Sequence, residues 1–308
     1  MMLISIIIPT YKRSNRIAIA INSVLNQTYT NLEIIVVDDN DDNQYRTETK
    51  KIVQPYLDKN QIKYLGHETN QGGCAARNTG AFTATGSYIA FLDDDDFYEP
   101  EKLEKQIHFL KTYSELHACA CDMYRVNENN EAILSRENTA RGNTLKEAIL
   151  DGNIFTSMLL IKKEVFVKIG GFSEIPRFQD KYFHYKFLKH GYKIGFLNEP
   201  LLTLVEHNDD RISLSANKKI IKALNLIHAF ELKNKSLFTN PEWRFIKHRL
   251  YYNKAYALNQ GTFKNKIQAV LHILNSLPYY TGNFNVKKLL FKTITPNFIL
   301  KQLKQLKQ

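Results

Sequence analysis

Only three of the 308 residues are cysteine, Cys74, Cys119 and Cys121. They are too few, and odd in number, for a disulfide framework, which fits a reducing compartment. Cys119 and Cys121 read as core residues rather than metal ligands. No apolar run approaches the length that crosses a bilayer. Leu3 to Ile8 lacks a basic leader and runs directly into Pro9, Lys12 and Arg13. It reads as a first buried strand and not as a signal peptide, so the chain is expected in the cytoplasm. Acidic residues nearly vanish from the last third. Ala216 to Gln308 holds 17 basic against 2 acidic residues, a charge of +15, whereas Met1 to Ser215 holds 25 against 29. This asymmetry predicts two regions, 1–215 and 216–308, the second facing something anionic. There is no internal repeat.

Against those absences stands a regular alternation. Leu3–Pro9 and Leu32–Val37 are continuous apolar runs rich in isoleucine and valine, as strands buried on both faces are. Between them, Arg16–Asn26 sets Ala18, Ile21, Val24 and Leu25 at helical spacing, with Ser14 or Asn15 as the expected cap. The unit repeats: helix Gln44–Leu57, strand Ile62–Leu65, helix Gly73–Ala84, strand Tyr88–Leu92. A helix at Pro100–Tyr113 and a strand at His117–Tyr124 follow, then a polar, weakly patterned stretch from Asn127 to Asn143. Strands are expected at Met158–Ile161 and Lys193–Leu197, with a helix at Asp180–His190. Strands alternating with helices predict a mainly parallel α/β sheet. After Ser215 only helices are expected, at Lys218–Leu232, Pro241–Asn259 and Phe263–Leu274, with a tail from Asn297.

The chemistry concentrates where strands end. Asp93, Asp94, Asp95 and Asp96 follow the apolar run Tyr88–Leu92. Four like charges repel unless a cation or hydrogen-bond donors hold them. Carboxyl ends of parallel strands share one crevice, where open α/β sheets place ligands. The cluster therefore points to a divalent metal and a phosphate-bearing substrate. Pro9 ends the first strand, since it has no N–H, and Tyr11 offers a flat ring there. Asp38-Asp39 ends the second. Asn70-Gln71-Gly72-Gly73 places a glycine turn before a helix with Arg77 one turn in, a combination that suits an anion. Each piece alone also reads as an ordinary turn, cap or surface charge. Together they can hold a base, a ribose and a metal-bridged diphosphate.

In this order the motifs resemble the inverting family 2 glycosyltransferases of the GT-A fold. The resemblance rests on Pro9-Thr10-Tyr11, Val36-Val37-Asp38-Asp39, and Asn70, Gly73, Ala76-Arg77-Asn78 and Gly80. Phe91-Leu92 with the four aspartates, and Gly170-Gly171-Phe172 followed by Asp180, complete it. It covers roughly the first 215 residues. It implies transfer of one sugar from a nucleoside diphosphate donor, most simply a uridine one, to an acceptor hydroxyl with inversion. By position, Pro9, Tyr11, Arg13, Asp39, Asn70, Gly73, Arg77 and Asp94 are expected on the donor side, with Asp93 toward its ribose or sugar; Asp94 also reads as a solvated carboxylate. Asp95 and His207 are expected to hold manganese or magnesium, and Arg211 and Ser213 to meet the diphosphate. Asp180 is expected as the base that takes the acceptor proton, its pKa depressed by Lys181 if that side chain is close. Asp96 also reads as a cap for the Pro100 helix. Gln179-Asp180 stands where many members carry Glu-Asp. The Gln-x-x-Arg-Trp signature of processive members is missing, since Trp243-Arg244 is in reverse order, so polymer extrusion is not expected.

The basic last third admits three readings. It contacts anionic lipid at the inner face of the cell membrane, with Ile299, Leu303 and Leu306 as an apolar stripe. Alternatively, it packs on the catalytic domain or a second copy. The third reading, nucleic acid, has no recognition motif behind it. If the membrane reading holds, the acceptor is a lipid-linked saccharide. Two other functions fit parts of the pattern. A sugar-nucleotide pyrophosphorylase would show a glycine- and arginine-rich loop after the first strand, where this chain has Pro9-Thr10-Tyr11-Lys12-Arg13. A non-catalytic binding subunit would not need intact Asp95 and Asp180.

Overall fold

In a computed structural model of the protein, residues 2–207, 217–259, 263–279 and 286–294 are described. The chain divides into two compact units, Met1–Asp209 and Asp210–Gln308. The first carries β1 (Ile4–Thr10), α1 (Ile17–Leu25), β2 (Leu32–Asp38), α2 (Asn43–Asp58), β3 (Lys63–Gly66), α3 (Gly73–Thr83) and β4 (Tyr88–Phe91). Next come β5 (Phe97–Tyr98), α4 (Lys102–Thr112), β6 (Ala118–Asn127), α5 (Leu145–Asp151), β7 (Leu159–Lys162), α6 (Lys163–Ile169), α7 (Gln179–Lys189) and β8 (Ile194–Glu206).

The strands form one eight-stranded sheet in the order β3-β2-β1-β4-β7-β6-β8-β5. β1 runs parallel to β2 and β4, β2 to β3, and β6 to β8. The short β7 lies antiparallel between β4 and β6, and β5 lies antiparallel to β8. The sheet is therefore mixed. Six strands nevertheless run the same way and present their carboxyl ends along one edge, the property that gathers a site there. The isoleucines and valines of β1 and β2 are buried on both faces, as such apolar-rich strands require. Cys119 and Cys121, two residues apart on β6, are fully buried in the same core.

Several boundaries depart from expectation. The first helix begins one residue later than predicted. Neither Ser14 nor Asn15 caps it; Arg16 takes that place without a side-chain bond. Asp96 does not cap the following helix either, because α4 is preceded by Glu101 and Asp96 is turned into the protein. The predicted strand at Lys193–Leu197 continues to Glu206, since β5 and β6 both supply ladder partners for its second half. The weakly patterned stretch after Asn127 is organised by bridges and a 3-10 turn at Arg136–Asn138. α5 then opens with a reciprocal cap between Thr144 and Glu147. Lys102 is wholly buried, with its ammonium 2.7 Å from Gln106 Oε1 and over the Tyr98 ring. Gln106 in turn donates to the Met158 carbonyl, fixing α4 against the start of β7.

The second unit holds α8 (Asn217–Lys233), α9 (Asn240–Leu258), α10 (Phe263–Ser276) and α11 (Val286–Ile294), and no strand among its described residues. Ala255, Leu258, Ala269, Ile273 and Leu289 form a small core of their own. Among the described residues no helix is long and apolar enough to cross a membrane.

Candidate active site at the carboxyl edge

The carboxyl ends of β1, β2 and β4 frame the site. At the end of β2, Asp39 is 3% exposed and accepts four hydrogen bonds. His67 Nδ1 and the Gln71 N–H reach Oδ1 at 2.8 and 2.9 Å; the Asn70 amide and the Gly72 N–H reach Oδ2 at 2.9 and 2.8 Å. The His67 Nε2 atom lies 2.9 Å from Thr79 Oγ1, on α3. One carboxylate thus holds the glycine turn, the end of β3 and the third helix together. Asp39, expected on the donor side, here has its oxygens engaged by protein donors and shapes the turn. Tyr11, half-buried beyond β1, has the Lys12 ammonium 5.1 Å above its ring.

Arg77 is buried on α3. Its guanidinium pairs with Asp93 and donates to the Gly73 carbonyl at 3.2 Å. A side chain at position 73 would put Cβ only 2.8 Å from Arg77 Nη1, so glycine is needed for this approach. Arg77 is not the surface charge that its motif alone allowed but an internal cation, kept charged, despite the burial that opposes it, by Asp93 foremost and by Asp180 among the smaller contributors.

The four aspartates point in different directions. Asp93 is the most open, with its N–H on Ser157 Oγ. Asp94 is buried and accepts the Thr10 hydroxyl at 2.7 Å; burial first, and Asp95 next, carry its pKa up to about 7. It was expected to touch the donor and is turned inward. Asp95 pairs with Arg13. Asp96 accepts the Val205 N–H of β8 at 3.2 Å. Burial raises the pKa of both Asp95 and Asp96, with Asp93 the next cause in each case.

His207 reaches this cluster because β5, directly after the aspartates, pairs with β8, Phe97 opposite Thr203. Its Nδ1 lies 3.3 Å from Glu128 Oε1, while Nε2 is buried without a hydrogen-bond partner and sits 3.7 Å from Asp95 Oδ2. An orphaned imidazole nitrogen converging on a carboxylate is a donor pair that fits a divalent cation of the manganese class. Among the described residues no group of three or more such side chains forms a ready cage. Further ligands would come from substrate or water. Arg211 and Ser213 lie outside the described residues.

Asp180 stands in the first turn of α7 and accepts the Lys181 N–H at 2.7 Å. Lys181 pulls its pKa down, the direction expected of a close cation, yet the net shift is upward, because loss of hydration outweighs the Lys181 N–H, the charge of Arg77 and that of Lys181. The turn leading to it is clamped by Asn78, which donates to the Phe172 carbonyl and accepts the Phe172 N–H, both at 2.8 Å. Gly171 has φ +63° and a Cβ there would clash with Asn78 Oδ1. Two non-glycine residues with positive φ, Lys12 at 58° and Phe178 at 61°, border the same edge, a placement that strained residues favour at functional sites. Sequence reasoning assigned no role to His67, Asn78, Ser157 or Glu128. Only Asn78 carried a signal, its place beside Arg77 in the glycine-turn motif.

The family model described as Glycosyl transferase family 2 matches residues 5–177. A Haemophilus influenzae protein described as an uncharacterized glycosyltransferase is 32% identical over 242 residues, 75% of this chain and 78% of that one. The Escherichia coli UDP-Glc:alpha-D-GlcNAc-diphosphoundecaprenol beta-1,3-glucosyltransferase WfgD is 41% identical over 108 residues, so this chain spans only 41% of that relative's length and the match covers 35% of this chain. Among solved structures, S. aureus TarS 1-349 in complex with UDP-GlcNAc superposes with a TM-score of 0.63 at 19% identity, covering 91% of this chain and 89% of that one. The mannosyltransferase PcManGT from Pyrobaculum calidifontis, in complex with GDP-Man and manganese, gives 0.54 at 17% identity, covering 93% and 78%. These likenesses place the mixed sheet and its flanking helices in the GT-A class. The chain belongs to glycosyl transferase family 2 and is a glycosyltransferase.

Proposed function

We propose that the protein moves one sugar from a uridine diphosphate sugar to a hydroxyl of a lipid-linked saccharide, with inversion, in assembly of a cell-surface glycan. The observation that supports one catalytic centre is Arg77. It is paired with Asp93 at the strand end and close enough to Asp180 for each charge to shift the other, so the donor side and the base candidate share a buried cation. The names of WfgD and of the TarS complex support the uridine donor, and WfgD's acceptor supports a lipid-linked one.

In this reading Asp180 takes the acceptor proton as the hydroxyl attacks the anomeric carbon. Its elevated pKa favours that role, since a stronger base accepts a proton more readily. Tyr11, Asn70 and the glycine turn held by Asp39 receive the base and ribose, and Asp93 faces the sugar. Asp95 and His207 would hold a divalent cation, which neutralises the leaving diphosphate when bound. Arg13, already paired with Asp95, supplies positive charge on the same side, and Arg211 and Ser213 are assigned to the diphosphate.

Release of nucleoside diphosphate, followed over a panel of nucleotide sugars with and without manganese, tests this. Asp180→Asn is expected to lower kcat by about 100-fold or more at unchanged donor affinity. Full turnover in that variant removes Asp180 as the base, and no release with any donor favours a binding subunit.

A further inference from the structure

The second unit presents a surface whose chemistry the transfer reaction does not use. From Trp243 to Gln308 the chain has 12 lysines and arginines and not one aspartate or glutamate. The two acids earlier in the unit are engaged locally. Glu231 is buried at 3% exposure, with Arg249 at 2.8 Å and His228 at 3.2 Å. Glu242 closes the reciprocal cap of α9 with Thr239. Among the described residues the charged side chains of this unit are thus almost all cationic, and its two carboxylates are locally engaged.

Set into that field is an uncovered apolar stripe. On α10, Ala269 and Ile273 face the small core. Ile267, Leu271 and Leu274, spaced i, i+4 and i+7, lie on another side and are 49%, 53% and 53% exposed. Leu277, in the next turn, is 49% exposed and extends the stripe. Single exposed aliphatic residues are commonplace; four in register along one helix and its extension are not. On α11, Phe291 is half exposed three residues from the exposed Lys288.

We infer that the α10 stripe Ile267–Leu271–Leu274–Leu277 is a docking face for an anionic lipid surface, lying in the plane of the headgroups while the lysines and arginines of this unit meet lipid phosphates. Charge decides the occupant. The same stretch of a second copy, or this chain's own residues 295–308 with three of those twelve cations, would bring positive charge against positive charge with no carboxylate to match. A nucleic-acid backbone would match the charge and leave the leucines in water. An anionic bilayer satisfies both, since apolar side chains enter the acyl boundary as cations approach the phosphates. The inference goes beyond the transfer reaction, and its test uses no sugar donor, so either can fail alone.

The test is co-sedimentation of the full chain with vesicles of phosphatidylcholine alone or with one-third phosphatidylglycerol. Binding to the anionic vesicles is expected to exceed binding to the neutral ones by about tenfold or more and to weaken with salt. The double variant Ile267→Glu with Leu271→Glu is expected to reduce that binding by about tenfold or more. Leu271→Gln, a solvent-side change that preserves helix propensity, is expected to give a smaller loss at unchanged helicity. Three results overturn the inference. These are no binding to anionic vesicles, equal binding by wild type and both variants, or a wild-type oligomer in light scattering that the double variant converts to monomer.

Discussion

Replacing Asp39 with alanine separates a scaffold from a ligand contact. Four donors converge on this carboxylate at 2.8 to 2.9 Å, from His67, Asn70, Gln71 and Gly72. A hydrogen bond to a charged group contributes roughly 1.5–3 kcal/mol net. Asn70 and Gln71 lie at the surface, where water replaces the lost acceptor. His67 is buried at 8% exposure, and its other nitrogen is already committed to Thr79. The unsatisfied His67 nitrogen and the half-buried Gly72 N–H then dominate, so Asp39→Ala should cost about 3–5 kcal/mol. In a unit of this size each kcal/mol moves Tm by about 2–4 °C, so the first-unit transition should fall by roughly 10 °C. Asp39→Asn keeps the shape but turns one acceptor into a donor facing N–H groups, and should fall between the two. The assay is thermal unfolding of the nucleotide-free chain, repeated with saturating uridine diphosphate. An unchanged nucleotide-free Tm with a lost nucleotide-induced shift would refute the argument, because Asp39 would then act on the donor and not on the turn.

Further expectations concern the Asp180 side and acid stability. Gly171→Ala puts a side chain at positive φ and into Asn78 Oδ1. It should destabilise by about 2–4 kcal/mol in urea unfolding and lower turnover more than donor affinity, as the turn before Asp180 shifts. Asn78→Ala, which strips both bonds from Phe172 without a clash, should reproduce the turnover loss; normal turnover in both variants would show that the turn does not position Asp180. His184 is buried with Nε2 unpartnered, and burial depresses its pKa to about 4 from 6.5. Its contribution is complete above pH 6.5 and is lost as pH falls toward 4, by on the order of 3 kcal/mol at most. His184→Phe should flatten that limb relative to wild type, and parallel profiles would refute the assignment. Glu33 behaves like a paired carboxylate: burial opposes its charge, but Lys63, Ser5 and Thr85 override it and hold the pKa at about 2. Its contribution is present above pH 4.5 and lost as pH falls toward 2, so Glu33→Gln should remove the steepest part of acid unfolding in that window.

The parallel half of the sheet was legible because β1, β2 and β4 are dominated by apolar residues, each followed by a polar turn. The antiparallel β7, the two-residue β5 and the second half of β8 were not, because their pattern is set by ladder partners far along the chain. The same limit applied at the site. The Asp cluster, Arg77 and Asp180 were readable as residue types at strand and helix ends. That Arg77 is buried against Asp93, or that burial outweighs Lys181 in setting the Asp180 pKa, depends on hydration lost in packing, which local sequence does not record.

By itself the sequence determined the residue types that stand at the strand ends, the alternation that forces an α/β sheet, and the division into a mildly acidic first region and a strongly basic second. Those follow from side-chain type and period alone. Only the tertiary structure decided how the four aspartates divide. Adjacent residues on a tight turn must point apart, and the neighbours that receive them come from distant segments. Thr10 takes Asp94, Arg13 and His207 flank Asp95, β8 takes Asp96, and Arg77 pairs with Asp93.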